Sequence, residues 1–100
     1  MKITVHFLGN IREIARTREQ AFEISDPTVE ALVERMAREY GDDFKRTLVN
    51  TSTGKVSNSV VVALNGVDIE ALKGLKTNLK EGDVVAIFPP VAGGSNMPMR

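Results

Sequence analysis

Leu79-Lys80-Glu81-Gly82-Asp83-Val84-Val85-Ala86-Ile87-Phe88-Pro89-Pro90-Val91-Ala92-Gly93-Gly94 is the stretch from which the rest of the chain can be read. Glu81-Gly82-Asp83 reads as a turn, and the apolar, largely β-branched run Val84-Val85-Ala86-Ile87-Phe88 as a last buried strand. Pro89-Pro90 stops it, because proline has no N–H to give a sheet ladder. Beyond the prolines, Gly93 and Gly94 carry no Cβ, so that part of the chain can thread a channel too narrow for other residues. Residues 91–94 reach about 13 Å when extended, at roughly 3.3 Å per residue. The chain then continues Ser95-Asn96-Met97-Pro98-Met99-Arg100, so Gly94 is amide-bonded to Ser95 and has no free carboxylate.

Working outward, the N-terminus alternates, with Ile3, Val5 and Phe7 on one face and Thr4, His6 and Leu8 on the other, the period of a half-buried strand. Gly9-Asn10 is expected to end it in a turn, followed by a charged connection through Arg12, Glu13, Arg16 and Arg18. Gln20-Ala21-Phe22-Glu23-Ile24-Ser25 alternates again and is expected to be its hairpin partner. Val29, Leu32, Val33, Met36, Ala37 and Tyr40 form a stripe at helical spacing. A capped helix is therefore expected over 26–41, with Asp26 as N-cap, Thr28 as a competing cap and Gly41 at the left-handed C′ position. Residues 42–58 read as loop, and Ser59-Val60-Val61-Val62-Ala63-Leu64 as a central strand buried on both faces. Asn65-Gly66 has the residues for a tight turn with positive φ, followed by a short strand at 67–69 and a helical turn at 70–72.

One amphipathic helix can cover one face of a sheet, so this order points to an α+β roll with a mixed sheet and the terminal strands side by side at its centre. That is the β-grasp, or ubiquitin-like, arrangement. It divides the chain into a domain over 1–90, a flexible handle over 91–94 and a disordered extension over 95–100.

Composition narrows the chemistry. A chain of 100 residues, 42% hydrophobic, supports one core. Its 13 Lys/Arg and 13 Asp/Glu are spread over both halves, without the basic concentration that nucleic acid binding requires. The start lacks the continuous apolar stretch of a secretory peptide and no segment reads as membrane-spanning, so a cytoplasmic protein is expected. There is no cysteine. Disulfides, cysteine thiolates and cysteine-ligated zinc are therefore ruled out, and any sulfur chemistry must use another atom of the chain.

The strand leading into Ile11-Arg12-Glu13-Ile14-Ala15, the helix opening Thr28-Val29-Glu30-Ala31-Leu32, the turn Asn65-Gly66 and the stretch from Leu79 to Gly94 together resemble the MoaD family, the small sulfur-carrier subunits of molybdopterin synthase. The resemblance covers residues 1–94. It implies a carrier with no catalytic machinery and no permanently bound cofactor. An E1-like adenylyltransferase would consume ATP to activate the carboxylate of Gly94, which becomes a thiocarboxylate. The large synthase subunit would then use the sulfur to build molybdopterin, with Gly93 giving slack for threading. Phe88, Pro89, Pro90, Val91, Ala92 and Arg12 would contact partners. For Phe88 core packing is an equal alternative, and for Arg12 a surface ion pair. Family members usually stop at the second glycine, whereas this chain ends at Arg100. Removal of 95–100 by a processing protease, residues foreign to the natural chain, and a homologue that has lost the chemistry all fit that ending. A protein modifier joined to lysines through Gly94 and a non-catalytic interaction module are the rival functions. Thiamine-type, cysteine-forming and transfer-RNA thiolation pathways also stay open, the Phe-Pro-Pro stalk favouring pterin chemistry.

Other motifs are weaker. His6, the only histidine, reads as a sheet-face residue. Gly54-Lys55 lacks the first glycine and the Ser/Thr of a phosphate loop. Asp42-Asp43 and Glu81/Asp83 lack the ligand run of a calcium loop.

Overall fold

The computed structural model describes residues 1–90; the expected handle at 91–94 and extension at 95–100 lie outside them. Strands β1 (Lys2–Phe7) and β2 (Glu19–Glu23) flank a short helix α1 (Asn10–Ala15). Helices α2 (Val29–Tyr40) and α3 (Asp42–Leu48) follow, then a small hairpin of β3 (Val49–Asn50) and β4 (Lys55–Val56). Strands β5 (Val61–Leu64) and β6 (Val67–Asp68), two 3₁₀ turns (Ile69–Ala71 and Gly74–Lys76) and β7 (Val84–Phe88) complete the order. The main sheet runs β2-β1-β7-β5-β6. The first and last strands pair in parallel at its centre, Val5 opposite Val85 and Phe7 opposite Ile87, and the other pairs are antiparallel. This is the expected β-grasp: a mixed sheet with the amphipathic helix α2 on one face.

The alternation read from β1 is what builds the core. Ile3, Val5 and Phe7 join Phe22, Val62, Val85 and Ile87 against Val29, Leu32, Val33 and Met36 of α2. Each such side chain contributes about 1.5–3 kcal/mol when fully removed from water. At one end of this core Phe7 meets Tyr40 and Phe44 edge-on, with centroids 5.8 and 6.0 Å away. The Tyr40 hydroxyl donates to Gln20 Oε1 at 2.6 Å, which ties α2 to the edge strand β2.

The structure corrects several expectations. The connection after Gly9-Asn10 contains α1, because Ile11 and Ala15 bury on one side of a helical turn. Helix α2 begins at Val29 and not at Asp26: Thr28 is the cap, its Oγ1 accepting from the Ala31 N–H at 3.1 Å. Tertiary pairing decides between the two caps. The Pro27 carbonyl accepts from the Leu79 N–H and Thr28 bridges Asn78, which holds 27–28 extended. Gly41 has φ 102° and ψ 170°, so it is not the left-handed C′ residue expected; it also caps α3. Residues 42–58 are not a plain loop, since α3 inserts Phe44 and Leu48 into the core and the β3–β4 hairpin follows. Strand β5 is next to the edge, with Val61 and Leu64 half-buried, and β7 leaves Val84 exposed and Ala86 and Phe88 half-buried. The two-sided burial expected of β5 fails because α2 covers only one face, and β7 is fully buried on that face alone. The Asn65-Gly66 turn is as read, with φ of 50° and 88°. Asn65 also receives the Val84 N–H on its Oδ1 and donates to Asp83, fixing where β7 starts.

Phe44→Ala is expected to lower stability by about 3–5 kcal/mol, read from urea unfolding, because it empties a fully buried aromatic site. Burial and the neighbouring Glu39 raise the Tyr40 phenol pKa, opposed by Arg35. The folded state thus holds this proton more tightly than the unfolded chain does. Its contribution is complete below the ordinary phenol value of about 10 and is lost as pH rises through the raised folded value. Tyr40→Phe should accordingly show a shallower loss of stability than the parent as pH rises above about 10, read from urea unfolding at stepped pH.

Candidate functional site

The end of β7 is where the candidate residues converge. Sheet parity puts Val84, Ala86 and Phe88 on the face without α2, together with Thr4 and His6 of β1 and Val61 and Ala63 of β5. His6, Ala86 and Ala63 lie in one row, and Phe88 lies opposite Val61 in the next. Leu8, one residue past β1, has the same parity and is 47% exposed. Its N–H donates to the Ile87 carbonyl at 3.0 Å, which places it beside the strand end. An apolar patch of Leu8, Val61, Ala86 and Phe88 therefore surrounds the point where the chain leaves the sheet. His6 stands on this face with Nδ1 3.7 Å from Glu19 Oε1, a sheet-face residue as expected.

Of the residues singled out in the sequence, Phe88 and Pro89 are half-buried and Pro90 is exposed. For Phe88 the choice between core and docking resolves into an open-face position opposite Val61, outside the α2-covered core. Arg12 is exposed on α1 and has no ion pair among the described residues. Helix α1 itself starts at the stalk base, where the Arg12 N–H donates to the Gly9 carbonyl at 3.2 Å. Arg12 is thus brought to the same end of the sheet as Phe88 and Pro89. Val91, Ala92, Gly93 and Gly94 lie outside the described residues.

Sequence reading missed Leu8 and Val61 as members of this patch. The signal for Leu8 was present, because it is the one large apolar residue on the Thr4/His6 face; Val61 was hidden by the uniform apolar run around it. Among the described residues no group of three or more His, Cys, Asp or Glu could hold a metal ion, and no helix is long and apolar enough to cross a membrane.

The described fold is thus a mixed sheet with parallel terminal strands, in which the last strand carries an apolar patch up to the proline stop. Residues 5–94 match the family model described as ThiS family. The chain belongs to the ThiS family. As a ThiS-family protein it is 33% identical over 95 residues to small archaeal modifier protein 3 of Haloferax volcanii, an alignment covering 94% of this chain and 100% of the relative. It is 32% identical over 96 residues to the molybdopterin synthase sulfur carrier subunit of Chlamydomonas reinhardtii, covering 94% and 100%. The solution structure of the Haloferax volcanii HVO 2177 protein superposes with a TM-score of 0.78 at 33% identity, over 94% of this chain and 87% of that one. The MoaD resemblance and the ubiquitin-like β-grasp fold are thereby established, and the family match ends on Gly94.

Because the ThiS-family body holds Arg12 by backbone alone, Arg12→Ala should change stability by no more than about 0.5 kcal/mol in thermal or urea unfolding. A larger loss would mean that its side chain supports the fold.

Proposed function

We propose that this protein carries sulfur as a thiocarboxylate on Gly94 and donates it for molybdopterin synthesis as the small subunit of molybdopterin synthase, after residues 95–100 are removed. The observation that supports this most is the family match running through the stalk to Gly94, together with a sulfur carrier subunit of molybdopterin synthase among the relatives. The chain is a substrate in this scheme. Its carboxylate is a poor electrophile until an E1-like adenylyltransferase attaches AMP and makes the oxygen a good leaving group. A sulfur nucleophile then displaces AMP, and the resulting thiocarboxylate supplies the sulfur that a chain without cysteine otherwise lacks. The acid–base groups belong to the partners, namely the adenylyltransferase and the large synthase subunit. Leu8, Val61, Ala86 and Phe88, with Pro89, Pro90, Val91, Ala92 and Arg12, supply the docking surface around the handle, since apolar patches of this kind mark partner contacts. An activation step that consumes ATP is compatible with the cytoplasmic location that we propose for this protein.

A second reading shares every step up to the acyl adenylate. The relative named as a small archaeal modifier protein favours a fate in which lysine amines of other proteins attack the activated Gly94. The two differ only in the nucleophile.

Incubation of the chain ending at Gly94 with an E1-like partner, ATP and a sulfur source should give the mass gain of one oxygen replaced by sulfur at the terminus. The chain ending at Arg100 should give none until it is cut. Absence of thiocarboxylate on the shortened chain would overturn the carrier function, and reaction of the uncut chain would overturn the maturation step. Isopeptide-linked adducts in intact-mass spectra of native material would favour the modifier reading.

A further inference from the structure

We propose that Gly9 and Pro89 form an elbow that sets the direction in which the stalk leaves the sheet, which makes Gly9 a positioning residue for the chemistry at Gly94. This rests on the reading of Gly94 as the activated terminus. Two independent features single out Gly9. Its φ of 59° with ψ of −142° lies in a region that L side chains avoid. A Cβ at this position would also stand 2.8 Å from Pro89 Cδ and 2.9 Å from Cγ, closer than non-bonded carbons tolerate. At the other five glycines among the described residues an added Cβ would meet nothing within 4 Å. Gly9 is the one whose missing side chain is occupied by a neighbour.

The backbone completes the joint. The Ile87 carbonyl accepts from the Leu8 N–H, so by the spacing of a parallel ladder the next donor due is at residue 89, facing the Leu8 carbonyl. Pro89 has no N–H to offer, and the Leu8 carbonyl instead accepts from the Ile11 N–H at 3.2 Å. The ladder therefore ends at Phe88, and the ring of Pro89 packs on Gly9, in the space a side chain there would take. The Gly9 carbonyl in turn accepts from the Arg12 N–H in the first turn of α1, whose Ile11 is buried in the core. The stalk base is thus keyed to a helix that is itself anchored, and among the described residues no hydrogen bond joins Gly9 to Pro89. Direction matters because the five residues from Pro90 to Gly94 must reach the partner's channel from this origin, and an origin turned away from the channel uses up part of their reach of roughly 3.3 Å per residue.

The chain lacks cysteine, so Glu23→Cys and Val91→Cys give a unique pair of spin-label sites on the otherwise full-length protein. Distance distributions between them should widen or shift in Gly9→Ala and in Pro89→Ala relative to the parent. Pro89→Ala leaves Gly9 unstrained, so it tests the elbow even if Gly9→Ala folds poorly. On chains ending at Gly94, both variants should lower kcat/KM for adenylation by about tenfold or more. Competition by a Gly9→Ala chain ending at Pro90, which reports docking of the body alone, should stay within about twofold of the parent. Unchanged distances in Pro89→Ala would overturn the elbow. Altered distances with unchanged kcat/KM, or weakened competition by the shortened Gly9→Ala chain, would overturn the positioning role. If the parent itself is not adenylated, the carrier reading fails while the distances still decide the elbow.

Discussion

The parallel pairing of β1 with β7 is the constraint on which the rest depends. It joins residues some eighty positions apart, so both ends of the chain must be in place before the centre of the sheet exists. Val5 and Phe7 lie beside Val85 and Ile87, all four are buried, and α2 covers them from one side. Closing so long a loop carries an entropic cost that only this apolar contact and the ladder offset. The reward is that the C-terminal segment leaves from the central strand of the main sheet, flanked by β1 on one side and β5 on the other.

That arrangement separates two requirements that usually conflict. A terminus that enters a partner's channel needs thin, adaptable chain, whereas partner recognition needs a fixed surface. Here the open face of the sheet supplies fixed apolar side chains, because its strands are locked by the core on the other face. Sheet parity makes the division automatic: alternate residues of β7 serve the core (Val85, Ile87) and the open face (Val84, Ala86, Phe88). Phe88 marks the transition, being the last residue with a ladder partner.

Much of this was legible in the sequence wherever a local pattern and the tertiary fold agreed. The period-2 alternation of Ile3, Val5 and Phe7, the helical stripe of Val29 to Tyr40, the Asn65-Gly66 turn and the proline stop after Phe88 each have a local cause, and each is found. The misses fall where long-range contacts decide. Asp26-Pro27 is a good helix start by itself, but pairing with 77–79 keeps it extended and moves the cap to Thr28. Helix α3 has only Phe44 and Leu48 as apolar anchors in seven residues, too short a stripe to stand out without the aromatic pocket of Phe7 and Tyr40 that receives it. Two-sided burial of β5 is what its uniform apolar run suggests, yet an apolar residue on an uncovered face reads the same as one in a core. Val61 was hidden in the open-face patch for that reason.

The same ambiguity bears on how the carrier and modifier readings are to be separated. Both need an activated glycine, a rigid base for the stalk and an apolar surface near it, so nothing in the body of the fold favours one nucleophile over the other. What distinguishes a sulfur donor from a conjugated modifier is the nucleophile brought to the activated acyl carbon, a sulfur atom or a lysine amine, and the surface that brings it must lie on the partner. On the proposed function the decisive variable is therefore the stalk end, where Leu8, Val61 and Phe88 form the surface offered to a partner. A change on that patch that weakened one partner and spared the other would divide the readings on physical grounds, since both would still share the same β1–β7 core behind it.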